Sequence, residues 1–333
     1  MDAAARREGC PKRMVVGPCG GVQADGRCEV VERPCVFDDI VPWPDPVAAA
    51  PLPRVPLVLT DFTSEPYSVA ALETVAGILR PSCDAVLVGE HQNRPDFPPT
   101  LFAALLQRSG VRPWITLACR DRNRVVLEQE LVGLRQVGVD AVLCVTGDAR
   151  GYGVRSDVTQ VFDLDGPRLA ALAASFGVAA AVPETPTAPP AGRRAARLLH
   201  KQRAGASVAV LNHADPAVVR AFVNSARRQG VTVPVLAAVA VYTDARSAAV
   251  LDALPGLALD RPAVRRVLGA ADPVQAGIAT AVDEAARLLA IDGVVGVNLS
   301  GLASDRGYEF AARVKAEVGQ LVRERCGLGT PSG

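Results

Sequence analysis

The feature that most constrains this chain is a series of eight short apolar runs, each of strand length and each followed by a helical pattern. They are Pro56–Thr60, Ala85–Gly89, Trp114–Ala118, Ala141–Thr146, Val178–Val182, Ser207–Leu211, Val233–Val239 and Val294–Asn298. Nearly every position in them is apolar, not every second one. A strand with one wet face alternates, so these runs read as parallel strands buried on both faces. Amphipathic helices are expected over Ser68–Leu79, Thr100–Ser109, Arg124–Val137, Pro167–Phe176, Arg193–Ala204, Pro216–Gln229, a longer region through Ala286, and Asp305–Glu324. Strict βα alternation of this length predicts an α/β fold closed as a (β/α)₈ TIM barrel. The rival, an open doubly wound sheet, carries a glycine-rich turn after its first strand. Here that turn is Asp61-Phe62-Thr63-Ser64-Glu65-Pro66, with no glycine.

A barrel needs about 250 residues, and this chain has 333. Much of the excess lies at the N-terminus, where Cys10, Cys19, Cys28 and Cys35 stand among Gly17, Gly20, Gly21, Gly26, Pro11, Pro18 and Pro34. So turn-rich a segment cannot bury a core of its own. Four thiolates can order it around zinc or a [4Fe–4S] cluster, and the sequence leaves both open. No C-x-x-C pair is present, and four reduced, unliganded thiols are the alternative. Pro42 to Pro56, rich in Pro and Ala, reads as a stiff extended linker. The expected organisation is a Cys-rich metal-binding module over 1–41, a linker over 42–54, the barrel over 55–326 and a flexible tail over 327–333.

Composition narrows the partners. Net charge is +1 and aromatics make up 4%, so neither a nucleic acid nor an anionic membrane is recruited by charge or stacking. The longest apolar runs are strand-sized, far from the roughly 20 residues of a membrane span. Met1 to Arg13 is charged and lacks the apolar core of a secretory signal. A cytoplasmic protein is expected, with cysteines as ligands or buried thiols and not disulfides.

In a barrel of this kind the chemistry sits at the carboxyl ends of the strands. Those ends hold Asp61, Glu90, Asp148 and Glu184, and also Asn212-His213, Thr243-Asp244 and Asn298-Leu299-Ser300. Converging carboxylates raise one another's proton affinity, and a protonated one can serve as a general acid. Asp and Asn at such places also cap the following helix. His91 and His213 are candidate proton shuttles. Arg120, Arg122 and Arg124 suit an anionic group, or simply a solvated helix start.

The residues from Arg112 to Asp148, RPWITLACRDRNRVVLEQELVGLRQVGVDAVLCVTGD, resemble the methylenetetrahydrofolate reductases. So do VPETP at Val182–Pro186, and Lys201 followed by Ala204-Gly205-Ala206. The resemblance implies a tetrahydrofolate derivative as substrate and NAD(P)H as hydride donor, directly or through FAD. It implies Asp61 as general acid in place of a Glu, and Asp148 as a pterin contact acting on the reactive centre. Asn212, Glu184, His213 and Glu90 become substrate-pocket residues, and Thr116, Gly147 and Lys201 cofactor contacts. The positions that hold flavin in the family carry Trp114-Ile115, Thr146 and Val182 here, as in the branch that works without a tightly held flavin. CPKRMVVGPCGGVQADGRCEV…PCVF resembles the four-cysteine module of acetogen-type reductases, which implies a redox partner subunit. The same pocket also suits a methyltransferase, a repurposed reductase or a non-catalytic folate-binding or electron-relay subunit.

Overall fold

The computed structural model describes residues 9–37, 39–90, 94–149, 157–253, 257 and 259–327. His91 and residues 328–333 lie outside them. Eight parallel strands close a barrel in sequence order: β1 Val58–Phe62, β2 Ala85–Val88, β3 Pro113–Ala118, β4 Ala141–Val145, β5 Ala180–Glu184, β6 Ala206–Leu211, β7 Val235–Val241 and β8 Val294–Gly301. β8 closes on β1 with Leu59 opposite Asn298. The helices are α1 Val69–Leu79, α2 Pro99–Arg108, α3 Arg124–Val137, α4 Gly166–Ser175, α5 Arg194–Arg203, α6 Pro216–Arg228, α7 Ala245–Asp252, α8 Arg261–Leu268, α9 Pro273–Leu289 and α10 Tyr308–Arg325.

The expected long helix before β8 is three helices. Asp244, Asp260 and Asp272 each turn a side chain onto the backbone of a new first turn, and Pro follows the last two. A capping carboxylate with Pro just inside restarts a helix instead of continuing one.

Strand parity decides what faces the centre. Leu59, Leu87, Trp114, Leu143, Ala181, Val208, Val210 and Leu236 fill the barrel interior. Their neighbours Val58, Val86, Ile115, Val142, Val182, Ala209 and Val235 face the helices. Trp114 is fully buried and sits opposite Ala141 in register, a small residue beside a large one. β1 and β5 each run two residues further than their apolar runs predict, so Asp61 and Glu184 are strand residues. With a period of two, Asp61 follows Leu59 on the inner face, while Glu184 follows Val182 on the helix face.

The segment before β1 is a strap, not a free spacer. Val41 N–H donates to Val16 O, Trp43 N–H to His200 Nδ1 and Val47 N–H to Arg203 O, along α5. Ser207 Oγ then donates to Ala50 O at the start of β6. Leu52 finally packs against the interior cluster at the amino-terminal end of the barrel. The chain thus runs from the carboxyl rim to the floor before its first strand.

Candidate active site at the barrel mouth

A cavity of about 390 Å³ opens at the carboxyl ends of the strands. That is the size of a small-molecule site. Asp61, Glu90, Thr116, Asp148, Asn212 and His213 all line it, with Asn298, Ser300 and the backbone of Gly20. Six of the residues singled out from sequence therefore meet at one hollow.

On the β1–β8 side the inner face is polar. Asn298 Nδ2 donates to Asp61 Oδ1 at 2.9 Å and Ser300 Oγ to Asp61 Oδ2 at 2.6 Å. Buried Lys315 of α10 donates to the Asp61 carbonyl, and burial pulls its ammonium below the usual range while Asp61 opposes that. Asn298 Oδ1 is buried with no hydrogen-bond partner among the described residues. Across the mouth, Asn212 Nδ2 donates to Thr185 Oγ1 at 2.6 Å. His213 Nε2 lies 2.7 Å from Glu284 Oε1 of α9, and its Nδ1 is buried without a partner among the described residues.

Glu90 lines both the mouth and an adjoining cavity of about 360 Å³. Its Oε1 accepts from Ala118 N–H at 3.1 Å and Arg122 Nη1 at 2.7 Å. Burial pushes its carboxyl up, against the pull of Arg122 and Arg120. Arg122 is thus a partner of Glu90, and Arg124 pairs with Glu128 on the surface of α3. Gly147 has φ +90°, and a Cβ there would meet Arg120 Cβ at 2.9 Å, so its role is to let the β4 turn pass close to β3.

Glu184 and Lys201 do not line the mouth, which corrects the expectation drawn from the resemblance. Parity turns Glu184 toward α5, where it meets Lys201 Nζ and Arg197 Nη1, both at 2.8 Å, with Arg194 Nη1 at 3.7 Å. All four side chains are buried. Burial alone would raise the Glu184 carboxyl, but Lys201, Arg197 and Arg194 hold it at about 2. Burial brings Lys201 down to about 7, helped by Arg197 and opposed by Glu184.

The cysteine segment docks on this same side of the rim. Arg194 donates to the carbonyls of Pro18 at 3.1 Å and Cys19 at 2.8 Å, and to Ala188 O at 2.9 Å. Lys12 Nζ donates to Gly147 O at 2.8 Å, and Val15 N–H to Asp165 Oδ2 at 2.8 Å. Met14 and Val16 are each 1% exposed. The segment lacks a core and borrows the barrel's. Cys10, Cys19, Cys28 and Cys35 line one enclosed cavity of about 20 Å³. Cys19 Sγ donates to Glu29 Oε1 at 3.2 Å, Glu29 is paired with Lys12, and burial pushes the Cys19 thiol up to about 12. Among the described residues no three of His, Cys, Asp or Glu converge as a metal-ligating group.

Sequence reasoning missed Glu284, Lys315, Arg194 and Lys12. The first two stand on the buried stripes of their helices, which the sequence pattern alone reads as core. The remaining thiols, Cys83, Cys119 and Cys144, are buried core residues, and Cys326 is exposed.

Residues 4–44 match the family described as "Methylene-tetrahydrofolate reductase C terminal". That match spans the four cysteines and stops before the barrel. No curated protein matches the chain. One similar solved structure is an uncharacterized protein from Clostridium thermocellum, described as binding two copies of 5-methyl-5,6,7,8-tetrahydrofolic acid. It shares 12% identity at a TM-score of 0.58, over 83% of this chain and 95% of that one. It is one of 415 matching chains, so the likeness is one of fold. No described helix is long and apolar enough to cross a membrane.

Proposed function

We propose that the barrel binds a reduced folate at its mouth and reduces 5,10-methylenetetrahydrofolate to the 5-methyl form. The observation that carries this is the meeting of Asp61, Asp148, Asn212 and His213 around one cavity of about 390 Å³. The family match of residues 4–44 and the folate named for the solved neighbour support the same ligand class. Opening the bridged ring breaks the bond between the bridging carbon and N10, leaves an iminium on N5 for the hydride, and calls for an acid that delivers a proton to N10. Asp61 is the candidate, held in place by Asn298 and Ser300. NAD(P)H, directly or through FAD, would supply the hydride to the exocyclic carbon. Asn212 and His213 would hold the pterin, and Asp148 would act on the charge that develops there. Oxidation of NADH or NADPH by the isolated chain, dependent on methylenetetrahydrofolate and lost in Asp61→Asn, tests the reading. Failure to bind 5-methyltetrahydrofolate sinks it.

One contact pattern favours a second reading, a folate-binding subunit without turnover. Both Asp61 oxygens already accept hydrogen bonds, so Asp61 is set as an acceptor. Folate binding with no turnover under any donor would select that reading.

We further propose that Cys10, Cys19, Cys28 and Cys35 hold a metal. Four thiols around one small cavity support it. A bound ion would tie this coreless segment together, and Cys19 would exchange Glu29 for it. Elemental analysis with a visible spectrum distinguishes zinc, an iron–sulfur cluster and bare thiols.

A further inference from the structure

His213 of the mouth reaches back to a buried carboxylate, Glu284, that does not itself line the cavity. His213 is 6% exposed and Glu284 8%, and they touch at 2.7 Å across two elements 71 residues apart. Glu284 lies on the apolar stripe of α9, where Gly277, Ile278, Ala281, Ala285 and Leu288 are its buried companions. Placing a carboxylate there is costly unless it has a hydrogen-bond donor. Tyr242, just after β7, is also set against Glu284. An ionised carboxylate only accepts, so the proton of the short contact belongs on His213 Nε2. In the neutral ring the other nitrogen, Nδ1, is then an acceptor. It is buried and unpartnered, and the residue lines the mouth. Asn298 repeats the pattern: Nδ2 is spent on Asp61, and Oδ1 is a buried acceptor without a donor in the same cavity.

Buried polar atoms left unpaired cost free energy, and a ligand that pairs them recovers it. We propose that Glu284 is a positioning residue that locks His213 as the Nε2–H tautomer, so that His213 Nδ1 and Asn298 Oδ1 offer two acceptors to the N–H donors of a ligand. This rests on the folate reading of the mouth and names how that ligand is oriented. A reduced pterin carries several N–H donors, on its rings and on its exocyclic amino group, so acceptors at two places around the mouth can each take a different one. Acceptors at both places favour such a donor-rich ligand and reject one that offers acceptors there, since two lone pairs would then face each other.

The experiment is ¹⁵N spectroscopy of the full chain labelled at histidine. The chain has three histidines, and the His213 ring is assigned by its loss in His213→Asn. The free protein should show Nδ1 unprotonated and Nε2 protonated. Saturation with 5-methyltetrahydrofolate should move the Nδ1 resonance and leave Nε2 protonated. In Glu284→Leu the ring should populate both tautomers, and 5-methyltetrahydrofolate should bind about tenfold more weakly, as for one lost buried hydrogen bond. Glu284→Gln keeps a carbonyl acceptor and should restore most of that affinity. Nδ1 found protonated, or unmoved by bound folate, overturns the assignment while the folate reading stands. No binding to the wild-type protein overturns the folate reading and this assignment with it.

Discussion

On the β1–β8 side of the rim, Asp61 faces the hollow, and Asn298 and Ser300 hold its two oxygens. On the β5 side, Glu184 ends its strand just as Asp61 nearly does, yet it faces outward and is consumed by Lys201, Arg197 and Arg194. The first side leaves Asn298 Oδ1 without a partner among the described residues, as His213 Nδ1 is across the mouth. The second satisfies its carboxylate fully and carries the cysteine segment on top. A carboxylate at a strand end is thus a ligand group or a strut according to one residue of parity.

Changes that should break the comparison come first. Glu184→Gln leaves three cations without their buried anion, so a loss of about 3–5 kcal/mol is expected in urea unfolding. The effect has a pH signature. The Glu184 carboxyl lies at about 2 against its usual 4.5, so its stabilisation is complete above that usual value and is lost as pH falls toward the lower one. The gap in unfolding free energy between wild type and Glu184→Gln should therefore shrink by about 3 kcal/mol on acidification through that window. A gap independent of pH would show that the cluster is held by packing alone.

Asp61→Asn should have the opposite profile. Turnover should fall by about 100-fold or more, the usual range for a lost general acid. The urea midpoint should stay close to wild type, because an amide still accepts at one position and the residue is not enclosed by cations. Unfolding of this variant would mean that both sides of the rim are structural.

Arg194→Leu removes the strut and should cost about 1.5–3 kcal/mol, as for hydrogen bonds made by a charged group. Limited proteolysis should then cut within residues 9–37 while the barrel survives. Ser300→Ala is the smallest change. It removes one donor to Asp61 and should alter rate or folate affinity by about fivefold with no change in protease resistance.

The barrel was legible because strands buried on both faces are uniformly apolar and their spacing is regular. The same uniformity hid the parity. Val178–Val182 offers only Val and Ala, so nothing in it says which residues face inward, and Glu184 was placed in the pocket. Asp244 was readable as a cap, and it is one, with Ser247 completing a capping box. Glu284 and Lys315 were hidden differently. Glu284 is the single charge on the buried stripe of α9, Lys315 shares that of α10 with Arg323, and the meaning of each depends on a residue far away in sequence. Composition carries no information on what a segment rich in Pro and Ala, such as Pro42 to Pro56, lies against. Here it lies along α5 and under the barrel.

The docking of the cysteine segment has a consequence for biosynthesis. The carbonyl of Pro18 is bonded by an arginine made 176 residues later. At about 5–20 residues per second on the ribosome, the four thiols emerge roughly 10–35 s before their resting place exists. During that interval the nascent segment is exposed to cellular metal and oxidant with no barrel to shelter it. Whatever the thiols acquire then is what the finished rim closes over.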